Sequence, residues 1–406
     1  MRPDAGPSLF HRYCLRHPRE TLESVTQVER ALPGLHALFG RRPTPFTLTP
    51  FLRPPQFFRR MSALCRDLAE ILEEVGRRAM AGGAFLNAYQ FPPEFLDILS
   101  VDPGYPRLAP VLRLDGHFVK GVFRLVETNA DGSAGMNDSN AIEYAVRRTP
   151  VYESLARTGD LESLEMVDSL ARLLAGYARR ARRARTGILD IRGVSTASEF
   201  VAVRERLRSA GVESHIVTPE ELSFRRGLRA KGVRLDFIYR RLVTADALRI
   251  WPQLDPLLTA YRRGHITMVG SFRSELLHNK AVLTLLHDPA ARARLSAAAR
   301  RLIDRHVPGA VLLTEEAAES AVSSRRRWVI KPLDAYGSRG VAVGRMMTVS
   351  AWKESLRRAI RGGRTLLQEF VPADRERILR IVRGRPVLSH EMTSAGFFVY
   401  DGRKKF

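Results

Sequence analysis

Cysteine is nearly missing from this chain of 406 residues: Cys14 and Cys65 are the two it has, and neither belongs to a CxxC or Cys/His spacing. That excludes a disulfide-stapled scaffold and a sequence-local zinc site, and it fits a reducing compartment. Long apolar runs are missing too. None approaches the roughly 18 to 20 residues that a membrane span needs, and the opening MRPDAGPSLFHRY has no apolar leader core. The expectation is a soluble, cytoplasmic protein with no membrane partner. Lysine is scarce: of 66 basic residues seven are lysines, at 120, 231, 280, 331, 353, 404 and 405, and 59 are arginines. Against 43 acidic residues this gives a net charge of +23 and brings an anionic partner or substrate into view. So lopsided a ratio reflects an Arg-biased composition as much as a binding surface, and it makes each lysine position informative.

What the chain has is 45% apolar residues, enough for a full core in two or three domains. Residues 1–100 read as helices broken by proline-rich joints, with an amphipathic pattern over 59–80 and no evident chemistry. Residues 101–150 change texture: VLRLD and GVFRLVETN alternate and are joined by a turn, which predicts a hairpin. Residues 151–275 predict a helix and then a small α/β layer built on ILDIR, EFVAVRERLRSAG, ESHIV and LDFIYRR. Residues 276–406 predict a helix at NKAVLTLLHD, the strand WVIKP, a glycine-containing turn, a helix near 350–361 and the strand TLLQEFV.

Two constellations could carry chemistry. On an extended hairpin, residues two apart share a face, so Arg113 and Asp115 lie together, as do Glu127 and Asn129. A turn near Gly121 sets the carboxylates of Asp115 and Glu127 opposite each other, a set of hard oxygen ligands suited to Mg²⁺ held with substrate phosphates. An ordinary solvated hairpin face has the same pattern. The loop ADGSAGMNDSN that follows suits close backbone approach to a ligand. The second constellation is WVIKPLDAYGSRGVAVG, in which a strand delivers Lys331 and a turn of Gly337, Ser338, Arg339 and Gly340 offers backbone N–H groups to phosphate oxygens. It is neither a Walker A loop nor a dinucleotide GxGxxG. Lys280 in SELLHNKAVLTLL is a third candidate cation.

Taken together, VETNAD, HNKAVLTLL, WVIKPLDAYGSRGVAVG and LLQEFV resemble the circularly permuted ATP-grasp enzymes, specifically the synthetase domain of glutathionylspermidine synthase and its relatives. The order is the distinguishing feature, since Glu127 and Asn129 precede Lys280 and Lys331. The resemblance spans residues 100–406. It implies an α/β fold, a circularly permuted ATP-grasp with a pre-ATP-grasp α/β layer and a mostly helical N-terminal region. It implies ATP and Mg²⁺ as cofactors, with Asp115, Glu127 and Asn129 holding the metal and Lys280 and Lys331 meeting the ATP phosphates under the turn Gly337, Ser338, Arg339 and Gly340. Gln368 or Glu369 would meet the adenine amino group, Phe370 and Val371 would complete the hinge, and Glu376 would hold the ribose. Arg113 would act on the carboxylate substrate and its acyl phosphate, with Ser133 nearby. Asp236, Tyr239 and Arg241 belong to a recurrent segment of the family, where a structural role and a substrate contact are both open. Relatives continue past the strand resembling SAGFFVYDG, whereas this chain stops at Phe406, which places turnover in question.

The implied reaction is ATP-dependent joining of a small-molecule or peptide carboxylate to an amine, and a homodimer is a reasonable assembly for such a family. An ATP-dependent kinase or an ATP-binding pseudoenzyme on the same fold is the alternative. The rival from another class, nucleic-acid binding, rests on the net charge and the Arg runs at 177–185 and 325–327, which carry no recognition motif and no interleaved aromatics. Nucleic acid is not expected to be the main partner.

Overall fold

The computed structural model describes residues 5–157, 161–180 and 185–402. Part of the basic run at 177–185 and the four C-terminal residues lie outside that set. Along the chain come helices α1 (Ala5–Arg16), α2 (Pro18–Ala31) and α3 (Pro55–Met80), then the hairpin β1 (Val111–Val119) and β2 (Val122–Asn129). After a loop follow α4 (Met136–Val146), α5 (Met166–Arg180), β3 (Thr186–Leu189), α6 (Ala197–Ser209), β4 (Ser214–Val217), β5 (Phe237–Arg240), α7 (Thr244–Arg249) and β6 (Thr267–Val269). The last third holds β7 (Ala310–Leu312), α8 (Glu315–Ser323), β8 (Trp328–Pro332), β9 (Ala342–Val343), α9 (Val349–Gly362), β10 (Thr365–Glu369), β11 (Arg375–Val382), β12 (Arg385–Met392) and β13 (Ala395–Tyr400).

Three sheets build the site. The hairpin is extended by the last strand, giving the antiparallel order β13-β1-β2. The parallel sheet has the order β6-β5-β3-β4, so its strand order reverses between β3 and β5. That reversal opens a crevice at their C-terminal ends. The third sheet is antiparallel, β7-β10-β8-β9, with α8 and α9 packed over it around the fully buried Trp352. Helix α9 starts where the Thr348 hydroxyl accepts from the Ala351 N–H at 3.2 Å, satisfying an otherwise orphaned donor.

Helix α3 belongs to the main core rather than to a separate N-terminal unit. Its stripe Met61, Cys65, Leu68, Leu72, Val75 and Ala79 recurs at three- and four-residue spacing, is buried throughout, and packs with the hairpin and with residues 276–286. Each such side chain contributes roughly 1.5–3 kcal/mol when large and fully buried. Gly76 lets the helices approach: a Cβ there would lie 2.7 Å from Leu277 Cδ1 and 2.8 Å from Leu108 Cδ1. The buried Glu73 carboxylate accepts from the Leu108 and Ala109 N–H groups at 3.0 and 3.2 Å, which fixes the lead-in to β1. Helices α1 and α2 instead form a smaller core with α4 and with Leu379 of β11.

The loop after β2 is tied into the crevice by a salt bridge with no solvent exposure on either side. Asp131 accepts from the Arg240 guanidinium, from the Thr244 N–H at 2.5 Å and from the Ser274 hydroxyl at 3.2 Å. Arg240 spends its remaining donors on the Gly270, Leu242 and Ser271 carbonyls. Gly132, next to Asp131, has φ +61°, and a Cβ there would meet the Arg241 carbonyl at 2.5 Å. Removing one partner of a buried pair strands the other charge, at a cost of about 3–5 kcal/mol. Asp131→Ala should therefore lower unfolding free energy by about that amount in urea titration, and Asp131→Leu combined with Arg240→Met should lose less than either change alone.

Candidate functional site

The hairpin register sets Asp115 opposite Glu127 and Arg113 opposite Asn129, so four of the polar residues singled out in the sequence share one face. Arg113 forms a fork onto Asp115, Nε to Oδ1 at 2.7 Å and Nη2 to Oδ2 at 2.6 Å, while Asn129 Nδ2 donates to the same Oδ2 at 2.8 Å. The third Arg113 donor reaches the Ala134 carbonyl at 2.6 Å and so touches the loop that also holds Ser133. Ser133 itself is buried, its hydroxyl donating to the Asn129 carbonyl. Gly396 of β13 lies under this pair, and a Cβ there would sit 2.9 Å from Asp115 Oδ1 and 3.2 Å from Arg113 Cδ.

Val126 is an extra residue in β2 where the register shifts, and the resulting bulge re-aims its carbonyl. Lys331, delivered by β8, donates to that carbonyl at 3.1 Å. Lys280 pairs with Glu127 at 3.0 Å and donates to the Ala335 carbonyl in the glycine-containing turn at 2.8 Å. Burial alone would raise the Glu127 pKa, but Lys280 and then Lys331 hold it below its ordinary value. Burial, with Lys280 adding to it against Glu127, pushes Lys331 down to about 8.

A cavity of ≈ 230 Å³ opens between this face and the third sheet. Glu127, Lys280, Lys331, Ser338, Gln368 and Val371 line it. Gln368, which lines the cavity, is 1% exposed and its amide nitrogen has no partner among the described residues. Glu369 and Phe370 also line the cavity. The Glu369 carboxylate is committed elsewhere, to Arg327 at 2.6 Å and to the Gly309 N–H at 2.9 Å. Gly337, Ser338 and Gly340 take positive φ, and Gly340 packs so closely on Pro332 that a Cβ would lie 2.7 Å from its Cγ. Arg339 lies over the Tyr336 ring at 5.2 Å. Tyr336 in turn donates to Asp246 Oδ2 at 3.0 Å, linking the turn to α7. Glu376 stands apart: it pairs with Arg53 at 2.5 Å and does not line the cavity.

Several residues here carried no mark in the sequence. Asp131 was hidden inside a small-residue loop, Glu199 of α6 accepts from the Gly135 N–H at 2.6 Å, and His117 lines the cavity. His117 was within reach, because it continues the alternation that places Arg113 and Asp115 on one face. Of the segment LDFIYRR, Arg241 donates to the Ser133 carbonyl and lies 3.3 Å from both Glu199 and the Tyr239 hydroxyl, and Asp236 pairs with Arg234 at 2.9 Å. These contacts brace the loop.

No protein-family model matches the sequence, and no curated protein matches it. Among solved structures the chain is similar to a glutathione synthetase-like effector, GSS30, from Globodera pallida in its apo form. The TM-score is 0.64 at 13% identity, over 94% of this chain and 89% of that one. The chain shares the fold of that protein. Weaker alignments, too low to carry an argument, reach a putative gamma-glutamylcysteine synthetase from Methylobacillus flagellatus KT (TM-score 0.38, 11% identity, 79% of this chain and 78% of that) and D-alanyl-alanine synthetase A from Vibrio cholerae (TM-score 0.30, 12% identity, 51% and 66%). Among the described residues no helix is long and apolar enough to cross a membrane.

The residues at the cavity fit a nucleotide: two lysines beside a glycine turn suit phosphates, and the orphaned Gln368 amide suits a base. They also fit a magnesium ion that takes part of its shell from those phosphates. No group of three or more His, Cys, Asp or Glu side chains among the described residues would hold a metal alone, and Asp115, Glu127 and Asn129 supply two carboxylates and an amide. Buried lysine charge costs stability. A base whose folded pKa lies below its unfolded value near 10.4 destabilises fully below about 8, and the cost fades as pH rises toward 10. Lys331→Met should therefore melt at a higher temperature than the parent at pH 7, with the gain shrinking between pH 8 and 10 in differential scanning fluorimetry.

Proposed function

We propose that this protein is an ATP- and Mg²⁺-dependent carboxylate–amine ligase of the circularly permuted ATP-grasp kind, resembling glutathionylspermidine synthase. The observation that carries the reading is Glu127 held between Lys280 and Lys331 in the lining of a cavity that Gln368, with its unpartnered buried amide nitrogen, also lines. In the reaction a substrate carboxylate oxygen attacks the γ-phosphorus as its bond to the β-phosphate oxygen breaks, giving ADP and an acyl phosphate. An amine nitrogen then bonds to the acyl carbon, phosphate departs with the electrons of the C–O bond, and the surplus amine proton passes to solvent.

Lys280 and Lys331 place positive charge where phosphate charge develops, and the backbone of the turn at Gly337, Ser338, Arg339 and Gly340 covers it and excludes water. Gln368 reads the base edge, with Phe370 and Val371 as the hinge beside it. Asp115, Glu127 and Asn129 would hold the metal, which when bound would supply Lewis-acid charge to the phosphate oxygens. Arg113 on β1 reaches the substrate loop through the Ala134 carbonyl. Released from Asp115, its planar fork suits the substrate carboxylate and the acyl phosphate made from it. The surplus of positive charge favours an anionic acyl donor, a small molecule or peptide.

The test is ADP release from ATP across a panel of carboxylate and amine pairs, with mass spectrometry of the products. ADP together with a new amide supports the ligase. ADP with a phosphorylated product favours a kinase, and nucleotide binding without turnover favours a pseudoenzyme. Lys331→Ala should abolish ATP binding in calorimetry, whereas Glu127→Gln should keep ATP bound and remove Mg²⁺-dependent turnover. Unchanged turnover in both variants would sink the assignment.

A further inference from the structure

On β1 the side chains of Arg113, Asp115 and His117 point to one face, separated by about 7 Å per two-residue step along an extended strand. Arg113 faces the substrate loop and Asp115 the metal position, so His117 falls one step further along, on the side away from the substrate. Three observations locate it. It lines the same cavity as Lys331, Gln368 and Val371. The next residue, Phe118, accepts from the Asp374 N–H at 2.7 Å, which brings the segment following the hinge residue Val371 alongside this end of β1. Glu376, the residue of that segment expected at the ribose, is turned to Arg53 instead.

The imidazole is fixed. Its Nδ1 lies 3.0 Å from the Thr393 carbonyl and 3.3 Å from the Ser394 hydroxyl. A carbonyl oxygen can only accept, so in the neutral ring Nδ1 carries the hydrogen and Nε2 presents a lone pair. With phosphates at the two lysines and the base at Gln368, the part of a nucleotide between them is the sugar, whose hydroxyls are donors. The geometry points to His117 as the acceptor for a ribose hydroxyl, a specificity residue that selects ribonucleotides over deoxyribonucleotides. This assignment rests on the ATP reading of the cavity.

The experiment is isothermal calorimetry of the full chain with ATP, 2′-deoxy-ATP and 3′-deoxy-ATP, repeated on His117→Phe and His117→Gln, with thermal melts to establish folding. The parent should bind ATP roughly three- to tenfold more tightly than at least one deoxy form, the worth of one hydrogen bond between neutral groups. His117→Phe should bind that deoxy form and ATP alike, and His117→Gln, whose amide oxygen accepts, should recover part of the difference. Discrimination that survives in His117→Phe, a parent that does not discriminate, or an equal loss for all three nucleotides overturns the assignment alone. A parent that binds none of them overturns the nucleotide reading and this assignment with it.

Discussion

Everything at the candidate site hangs on where the loop after β2 is held, and that loop is held by a carboxylate and a guanidinium with no access to water. Asp131 and Arg240 lie 109 residues apart and are both fully buried. Charges taken that far from solvent are tolerated only when their hydrogen-bonding capacity is filled, and here it is filled on both sides, by Thr244 and Ser274 for the acid and by three backbone carbonyls for the base. The pair joins the hairpin sheet to the parallel sheet at the crevice where strand order reverses. A neighbouring carboxyl, Glu275, is buried beside Asp131 and pushed well above its ordinary pKa by burial and by that proximity.

From that anchor a second electrostatic layer follows. Arg113 and Asp115 neutralise each other, and Glu127 is balanced by Lys280 and Lys331, so the cavity face keeps its charged groups in defined positions. Positions set in advance are what the proposed phosphoryl transfer asks of a protein, since orientation lost at the moment of reaction cannot be recovered there. The Val126 bulge serves the same end by giving Lys331 a backbone acceptor, and Gly396 by leaving room above the strand for the Arg113 fork.

The hairpin face was legible because strand alternation has a period of two and the turn at Gly121 fixes the register. The parallel layer was legible because strand and helix periodicities alternate in order. Three things were not. Helix α3 shows an apolar stripe, but a stripe does not name its partner, and residues 276–286 that cover it come two hundred positions later. Asp131 reads as one more small polar loop residue until Arg240 is brought to it. Glu376 sits at a plausible offset from the hinge, yet its strand packs against Arg53 of the N-terminal segment, 323 residues away, and the carboxylate follows that charge.

The choice of cation at the cavity is itself an argument about its use. In a chain with 59 arginines and seven lysines, the fully buried structural ion pair Arg240–Asp131 uses the guanidinium, whose planar fork locks onto a carboxylate and onto carbonyls around it. The cavity uses Lys280 and Lys331. An ammonium is a compact charge with three rotatable donors on a flexible stem, and burial shifts its pKa readily, whereas a guanidinium stays charged. Two guanidiniums converging on Glu127 would fill the cavity and bind the carboxylate by their forks. Two ammoniums leave space, and they hold Glu127 through contacts that a phosphate can take over. Arginine would thus preserve the charge of the cavity and fill the space that the proposed binding of a polyanion requires.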